Sequence, residues 1–322
     1  MEKVFLKKTK NVAVISQKGG VGKSTIAINT ALGLKYKYDY EVGLLDLDID
    51  DPNNKIYLST ELDDHGGLDI GNISSILTKP EGKLEEGELR KIIRKGRLAE
   101  LVYANMTSTK HPTIHTLFSD LSSKVNKKEV YKQVFSIFNR ISRHKPKDGN
   151  LKTDFLFCDF PTGSMSDPNV AELMKYFDYR ILVITLDPVC IDGIYTAMKN
   201  DEKGEFVRPD ATNILVTNMI PGEVFETLNL PFVSKLEGRG MSEAKILNQE
   251  IRRDLRYRLR IDYEARILNF PVIDQRRYST KTLRPAILER KTRFCESIDA
   301  LTDCIVDDAI KKEYLGGLKN GW

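Results

Sequence analysis

Cysteine is scarce in this chain of 322 residues, which contains four. They form no CxxC pair, and in a reducing compartment such thiols are typically buried or incidental. Long apolar runs are also missing, since none approaches the roughly 18 residues needed to cross a bilayer. The first residues, MEKVFLKKTKN, have no apolar segment of the kind found in signal peptides. We therefore expect a cytoplasmic protein.

An excess of one sign of charge is missing as well. Lysine and arginine number 50 against 46 aspartate and glutamate residues, so the net charge is +4. This permits an anionic partner without requiring one, because local clustering of charge matters more than the sum. No internal repeat or low-complexity tract stands out, and a hydrophobic fraction of 41% is ordinary for a globular protein.

Short apolar runs rich in β-branched residues alternate with longer helical patterns. The predicted strands are Val12–Ser16, Val42–Leu47, Leu101–Ala104, Phe155–Phe160, Ile181–Leu186, Ile214–Thr217 and Ile267–Ile273. The predicted helices include Ser24–Leu34, Leu84–Arg94, Lys128–Ser142, Pro168–Phe177, Ser242–Leu259 and Lys281–Arg290. Such alternation predicts an α/β fold with a doubly wound, mainly parallel sheet flanked by helices. Residues 63–152 are the least strand-like, so we predict a helical insertion there within one domain spanning residues 1–322.

A glycine-rich loop separates the first predicted strand from the first predicted helix. It has the sequence QKGGVGKST and runs from Gln17 to Thr25. Glycines let several backbone N–H groups converge on one anion at the positive end of a helix. Lys23 then reaches the β- and γ-phosphates of a nucleotide, and the Ser24 hydroxyl ligates Mg²⁺. The loop therefore predicts a magnesium-dependent ATPase.

This loop also carries a second lysine, Lys18, and has Gln17 where the usual motif has glycine. Lys18 cannot easily fold back onto its own phosphates beside Lys23. Facing outward, it could neutralise charge on the transferring phosphoryl group in the site of a second subunit, as an arginine finger does. This predicts a homodimer with nucleotide held between the protomers.

Residues 18–25, KGGVGKST, resemble the deviant Walker A motif of the ParA/MinD superfamily of P-loop ATPases. Gln17 resembles the ParA branch, whereas MinD-type and Mrp-type members more often have glycine there. The resemblance implies a P-loop NTPase fold that binds ATP with Mg²⁺. The implied ATP-binding residues of the loop are Gly19, Gly20, Val21, Gly22, Lys23, Ser24 and Thr25.

Carboxylates stand at the ends of two predicted strands. Asp46 and Asp48 alternate at the end of the second strand, so both point to one face of the sheet. Asp159 ends the strand FLFCD before a Pro/Gly turn, as a Walker B aspartate does when it reaches the outer sphere of Mg²⁺. The resemblance implies that Asp46 supports the magnesium sphere and that Asp48 is catalytic by orienting the attacking water. The other predicted catalytic residue is Lys18, which acts in the site of the second subunit.

Two later segments are candidates for binding the adenine base. Asn218 ends a buried strand, and its amide can donate and accept hydrogen bonds at once. It matches the position where the family reads adenine, although such an asparagine could instead bond its own turn. The segment Phe270–Asp274 looks like the family's cover over the base, with Pro271 one place earlier than usual, which implies contacts from Pro271 and Asp274.

A basic stripe within the predicted helix Ser242–Leu259 and just beyond it is a candidate DNA surface. It consists of Arg252, Arg253, Arg256 and Arg260. Arginines so placed grip phosphates without reading bases, which gives salt-sensitive, nonspecific binding. The alternative is a solvated helix face with pairs such as Asp254–Arg258.

Iron–sulfur carriers of the Mrp type share some of these features. The segments Val42–Pro52 and Asp159–Asp167 and the pair Asn218-Met219 resemble them. Those carriers use a CxxC soon after the Asn-Met strand end to hold a bridging cluster. This chain has no cysteine between Cys190 and Cys295, so a thiolate-ligated cluster lacks ligands.

MinD-type members, by contrast, end in an amphipathic membrane-targeting helix. The tail from Lys311 to Trp322 is broken by glycine and weakly apolar, so we expect no stable membrane insertion.

The sequence interpretation is thus a ParA-like ATPase for plasmid or chromosome partition. ATP would clamp a homodimer that binds DNA nonspecifically, and a ParB-like centromere-binding protein would stimulate slow hydrolysis. Such a protein would be associated with the nucleoid. A MinD-like positioner and an Mrp-like metallocluster carrier without cluster cysteines remain as alternatives.

Overall fold

The computed structural model describes residues 6, 8–47, 94–95, 102–105, 153–163, 166, 170, 173–187, 189–190, 192–194, 211–220, 233–235, 261–268 and 293–319. Most of the predicted insertion lies outside these residues, as do the predicted helices Lys128–Ser142, Ser242–Leu259 and Lys281–Arg290. The single-domain organisation therefore stays a prediction.

One sheet forms the centre of the molecule. Its strands are β1 (Lys10–Ile15), β2 (Val42–Asp46), β3 (Arg94–Lys95), β4 (Val102–Asn105), β5 (Phe155–Asp159), β6 (Tyr179–Ile184), β7 (Thr212–Ile220), β8 (Val233–Lys235) and β9 (Ile261–Leu268). In the described residues the strand order is β3-β4-β2-β5-β1-β6-β7-β9-β8. All neighbours pair in parallel except the edge pairs β3–β4 and β8–β9. The predicted doubly wound, mainly parallel sheet is confirmed.

The central strands are buried on both faces. Every residue of β2, β5 and β6 is buried, and in β1 only the first residue, Lys10, is partly exposed. Continuous apolar runs such as FLFCD and YRILVI are typical of parallel strands covered by helices on both sides. Strand β1 lies between β5 and β6, and the chain leaves it first toward β2 and later reaches β6 on the other side. The loop after β1 therefore lies at the point where the winding of the sheet reverses, which is where ligands bind in such sheets.

Helix α1 (Lys23–Tyr38) starts directly after the glycine-rich loop. It is buried along most of its length, including Ile26, Ile28 and Leu32. It ends at Asp39, which has φ 55° and whose backbone N–H donates to the carbonyls of Leu34 and Lys35. Its fixed position under the sheet determines where the loop before it can lie.

A second long helix, α2 (Arg293–Lys319), was not predicted from the sequence. Its buried residues Phe294, Ile298, Leu301, Ile305 and Ala309 recur every three or four positions, which is the spacing of an amphipathic helix. The helix continues through Gly316 and Gly317, so the expectation that these glycines break the tail was wrong. None of the helices in the described residues is both long enough and apolar enough to cross a membrane.

Strand β9 also differs from its prediction. It spans Ile261–Leu268, whereas the predicted strand was Ile267–Ile273, so the two overlap only at their ends. Its sequence IDYEARIL alternates charged and apolar residues, with Ala265 and Ile267 buried. This alternation has the period of a strand, but its charged residues made the segment look like the continuation of a basic helix.

Candidate nucleotide-binding site

The backbone of the glycine-rich loop is curled at two glycines. Gly20 has φ 72°, and Gly22, immediately before α1, has φ 87° and ψ 26°. Glycine adopts this left-handed region without the steric cost that a side chain brings. As the N-cap residue, Gly22 offers no side chain to the first N–H groups of α1. These groups, at the positive end of the helix, therefore suit an anion such as phosphate.

Asn218, at the end of β7, lies against this loop. Its Nδ2 donates to the Val21 carbonyl at 2.8 Å, and the residue is buried. A Cβ atom added at Gly22 would stand 2.4 Å from the same Nδ2. Glycine at position 22 therefore allows both the left-handed backbone and the approach of Asn218. The sequence interpretation missed this supporting role, and contact of Asn218 with adenine stays a prediction.

Lys23 is buried, and its ammonium group faces the turn after β5. Its Nζ donates to the Thr162 hydroxyl at 3.2 Å. The same turn is tied to the end of β1, because the Gly163 N–H donates to the Ser16 carbonyl at 3.2 Å. Thr162 also lies near Gly19, where an added Cβ would be 3.6 Å from its hydroxyl. The turn after β5 thus forms one wall of the site and holds the Lys23 ammonium beside the loop.

Two buried carboxylates end neighbouring strands beside the loop. Asp46 on β2 and Asp159 on β5 are direct partners in the parallel register, and each is 1% exposed. Side chains at such partner positions point to the same face of a sheet. The Leu47 N–H donates to the Asp159 carbonyl at 2.9 Å, which fixes the two strand ends together.

These residues fit a magnesium site of the NTPase type. Hydroxyl and carboxylate oxygens are the hard ligands that Mg²⁺ prefers, and Ser24, Asp46 and Asp159 supply them at one edge of the sheet. In nucleotide sites Mg²⁺ takes one or two protein groups and completes its shell with phosphate oxygens and water. It therefore needs no cluster of three or more carboxylate, histidine or cysteine residues, and the described part of the chain contains none.

Lys18 turns to the opposite side of β1 from Lys23. Its Nζ forms an ion pair with the carboxylate of Asp187, which follows β6. The Lys18 carbonyl accepts a hydrogen bond from the Ser16 hydroxyl at 2.9 Å. The hydrogen bond from Lys18 and a backbone bond from Val189 lower the pKa of Asp187. Because β5 and β6 flank β1, the side chains of the two lysines diverge, and the action of Lys18 in a second subunit stays a prediction.

Gln17 is held between two segments that follow the central strands. Its Nε2 donates to the Ser166 hydroxyl at 2.5 Å. A Cβ atom added at Gly193 would lie 3.2 Å from the Gln17 Cγ, so the side chain closely approaches that glycine. The residue that replaces the usual glycine of the motif therefore supports the loop from its outer side.

Several predicted site residues lie outside the described residues. These are Asp48, Pro271, Asp274, Arg252, Arg253, Arg256 and Arg260. The positioning of the attacking water, the cover over the base and the basic stripe accordingly stay predictions.

Comparison with known protein families gives a match to the phosphate loop and to the strands before and after it. A family model described as "ParA: NUBPL iron-transfer P-loop NTPase" matches residues 7–66. This stretch contains the curled loop, the buried lysine and the first acidic strand end. Over these residues the chain matches the P-loop NTPases of the ParA/MinD superfamily.

Solved structures of this superfamily share the fold of this P-loop NTPase over most of its length. A ParA family ATPase from Chlorobium tepidum TLS has a TM-score of 0.59 at 14% identity, covering 92% of this chain and 98% of that one. The MinC:MinD cell division protein complex of Aquifex aeolicus gives a TM-score of 0.58 at 17% identity, covering 93% of this chain and 96% of that one. At these identities the likeness concerns the fold alone.

The curated sequence relatives are named as iron-sulfur cluster proteins, unlike these solved structures. The iron-sulfur cluster transfer protein NUBPL of Dictyostelium discoideum is 50% identical over 64 residues, which is 20% of this chain and 19% of that protein. The iron-sulfur cluster carrier protein of Pyrococcus abyssi is 54% identical over 50 residues, or 16% of this chain and 17% of that protein. The chain thus spans less than a fifth of the length of these two relatives.

Proposed function

We propose that this P-loop NTPase hydrolyses ATP with Mg²⁺ and that ATP joins two protomers. One observation carries the proposal. The curled loop with its buried lysine follows β1, where the winding of the sheet reverses, and the paired carboxylates Asp46 and Asp159 end β2 and β5 on one side of it. An anion site beside a hard-cation site is what a nucleoside triphosphate with Mg²⁺ requires.

Each residue then has a defined task in the reaction. The N–H groups of the loop and the Lys23 ammonium neutralise the phosphates, and Ser24, Asp46 and Asp159 hold the metal directly or through water. Mg²⁺ held by these residues would neutralise the negative charge that develops on the phosphates. Asp48, two residues beyond Asp46, accepts a hydrogen bond from the attacking water and orients it. Lys18 of the second protomer adds positive charge at the transferring phosphoryl group.

The dimer is tested by sedimentation with and without a hydrolysis-resistant ATP analogue and Mg²⁺. We expect the wild-type chain to dimerise only with the analogue. Lys23→Ala should lose nucleotide binding at least 10-fold, because a charge-assisted contact to the phosphates is removed. Lys18→Ala should keep binding in the protomer but lose dimerisation and turnover. Tight ATP binding by Lys23→Ala, or a wild-type chain that stays monomeric during turnover, would overturn the proposal.

Iron–sulfur cluster transfer is the first candidate for the process that this ATPase serves. The names of the sequence relatives favour it over DNA partition, although the matched segments are confined to the region of the phosphate loop. The cysteines of the chain do not favour cluster ligation by its own thiolates. Cys158, Cys190 and Cys295 are buried, and burial raises the pKa of Cys158 and raises that of Cys304 to about 12. With their raised pKa values, the thiols of Cys158 and Cys304 stay protonated at neutral pH and are poor ligands.

Anaerobic reconstitution of the full chain with iron and sulfide tests this candidate. Stoichiometric iron with the visible absorption of a cluster, lost in cysteine variants, would establish that the chain carries the cluster itself. Iron that stays substoichiometric would limit the chain to the ATPase step or remove it from cluster transfer.

DNA partition is the second candidate. It is favoured by Gln17, which matches the ParA branch and which the structure shows in contact with Ser166. The basic stripe Arg252, Arg253, Arg256 and Arg260 would supply the nonspecific grip on phosphates. A gel-shift titration at low salt with ATP, ADP and no nucleotide discriminates the two candidates. Retention that appears only with ATP and is lost when Arg252, Arg256 and Arg260 are replaced by glutamate would favour partition, whereas no retention in any state would exclude it.

A further inference from the structure

The carboxylate that pairs with Lys18 is held rigidly by its own surroundings. Asp187 follows β6 and caps the helical segment after it, since its Oδ1 accepts from the Val189 N–H at 2.9 Å. Its carbonyl accepts from the Cys190 N–H at 3.0 Å, and Cys190 is fully buried. Asp187 is therefore a fixed acceptor, whereas Lys18 reaches it through four rotatable methylene groups.

The surface around this pair is open. The side chains of Lys18 and Asp187 are 43% and 38% exposed, and Gly19 and Gly20 beside them are exposed as well. Val189, two residues after Asp187, is an apolar residue that is 67% exposed. A second copy of the chain can therefore approach Lys18 directly, and the pair with Asp187 has to open before Lys18 can contact a phosphate of that copy.

We propose that Asp187 is a positioning residue that restrains Lys18 in the separate protomer and that ATP-dependent dimerisation releases this restraint. The inference rests on the proposed function, because it requires Lys18 to act across the dimer. In the separate protomer the Lys18 ammonium is kept beside Asp187 after β6, on the opposite side of β1 from Lys23. In the dimer the triphosphate of the partner replaces Asp187 as the anion that Lys18 contacts.

The restraint is moderate in strength. Ion pairs between exposed side chains shift equilibria by about two- to fivefold at most. Removing the charge of Asp187 should therefore tighten the dimer by a factor in this range. The carboxylate of Asp187 stays charged at neutral pH, because the hydrogen bond from Lys18 lowers its pKa. The effect should accordingly be constant between about pH 6 and 8.

Asp187→Asn is the appropriate variant, because asparagine caps helices as well as aspartate does and keeps the acceptor for Val189. The dissociation constant of the dimer is measured by sedimentation with a hydrolysis-resistant ATP analogue and Mg²⁺. We expect Asp187→Asn to lower it about two- to fivefold. In the Lys18→Ala background, in which dimerisation is lost, the same substitution should not restore a dimer, because a coupling between two residues disappears when either is absent. Turnover per dimer at saturating protein should stay unchanged.

A second readout does not need the dimer. In the nucleotide-free protomer, the rate at which an acylating reagent modifies Lys18, followed by mass spectrometry, should rise in Asp187→Asn, with Lys37 as internal reference. A dimer that is unchanged or weakened by Asp187→Asn, or an unchanged acylation rate, would overturn the restraint. A wild-type chain that never dimerises with ATP would overturn the proposed function itself, whatever the acylation rate.

Discussion

At the scale of single residues, the phosphate loop leaves very little room at Gly22. The residue has φ 87°, and an added Cβ would stand 2.4 Å from the Asn218 amide. Gly20 has a similar backbone, φ 72°, but no heavy atom lies within 4 Å of its added Cβ. Substituting alanine at Gly20 would therefore cost only backbone strain, whereas at Gly22 it would cost backbone strain and a collision with Asn218.

Gly22→Ala should weaken ATP binding at least 10-fold and destabilise the fold by about 2–4 kcal/mol, since strain and collision add. Gly20→Ala, the matched control, should cost only the backbone strain of about 1–2 kcal/mol. Isothermal titration with ATP and urea unfolding measure both effects. Equal losses in the two variants would mean that the contact with Asn218 does not constrain the loop.

A site residue could be predicted from the sequence when its partners lie close to it in the chain. Gly22, Lys23, Asp46 and Asp159 belong to local motifs, and the structure brings them together. Thr162 and Asp187 contact lysines 139 and 169 residues away, and no local pattern marks such a pair. Asp187 could have been recognised only as a helix cap at the end of a central strand.

At the scale of elements, the contact between α1 and α2 depends on a small residue. A Cβ atom at Gly33 would lie 2.7 Å from the Thr302 hydroxyl oxygen. Thr302 is fully buried, and its hydroxyl donates to the Ile298 carbonyl at 2.8 Å, so it cannot rotate away without losing this bond.

Gly33→Ala should therefore destabilise the fold although alanine favours helix. The gain in helix propensity is about 1 kcal/mol, whereas overpacking a core contact costs about 1–3 kcal/mol. Adding Thr302→Ala should recover most of the loss, because it removes the colliding oxygen. Urea unfolding of the two single variants and the double variant measures the coupling. A double variant whose losses simply add would show that the helices do not meet at this pair.

The two elements that sequence analysis missed or misplaced, α2 and β9, have polar or charged residues among their apolar positions. The apolar stripe of α2 is interrupted by polar and acidic residues, and the tail glycines suggested an end that the helix does not have. Strand β9 alternates charged and buried residues next to a basic segment. The central strands were predicted within two residues at most ends, because burial on both faces makes them continuously apolar.

At the scale of the whole molecule, the carboxylate of Asp308 connects α2 to two strands of the sheet. Asp308 accepts hydrogen bonds from the Thr212 hydroxyl on β7 at 2.7 Å and from the Tyr263 hydroxyl on β9 at 3.1 Å, and it pairs with Lys312 at 3.2 Å. The doubly wound sheet was predictable from its apolar runs. This connection was not, because Asp308 lies 96 residues from Thr212 and 45 residues from Tyr263 in the sequence.

The same carboxylate makes the global stability depend on pH. Burial opposes the ionisation of Asp308, but the bonds from Thr212 and Lys312 outweigh it, so its pKa lies below the ordinary value of 3.8. A carboxyl group whose pKa is lowered by folding stabilises the protein above its unfolded pKa, and this contribution is lost as the pH falls through the folded pKa. Asp308→Asn should thus cost about 1–3 kcal/mol at neutral pH and progressively less below about pH 4.

Asp307→Asn provides the matched control, because Asp307 neighbours Asp308 on the same helix but is exposed. It should change the free energy of unfolding by less than about 0.5 kcal/mol at any pH. Urea unfolding between about pH 3 and 7 measures both variants against the wild-type chain. A difference between Asp308→Asn and wild type that stays constant across this range would mean that the carboxylate acts by shape alone and that its charge does not hold α2 on the sheet.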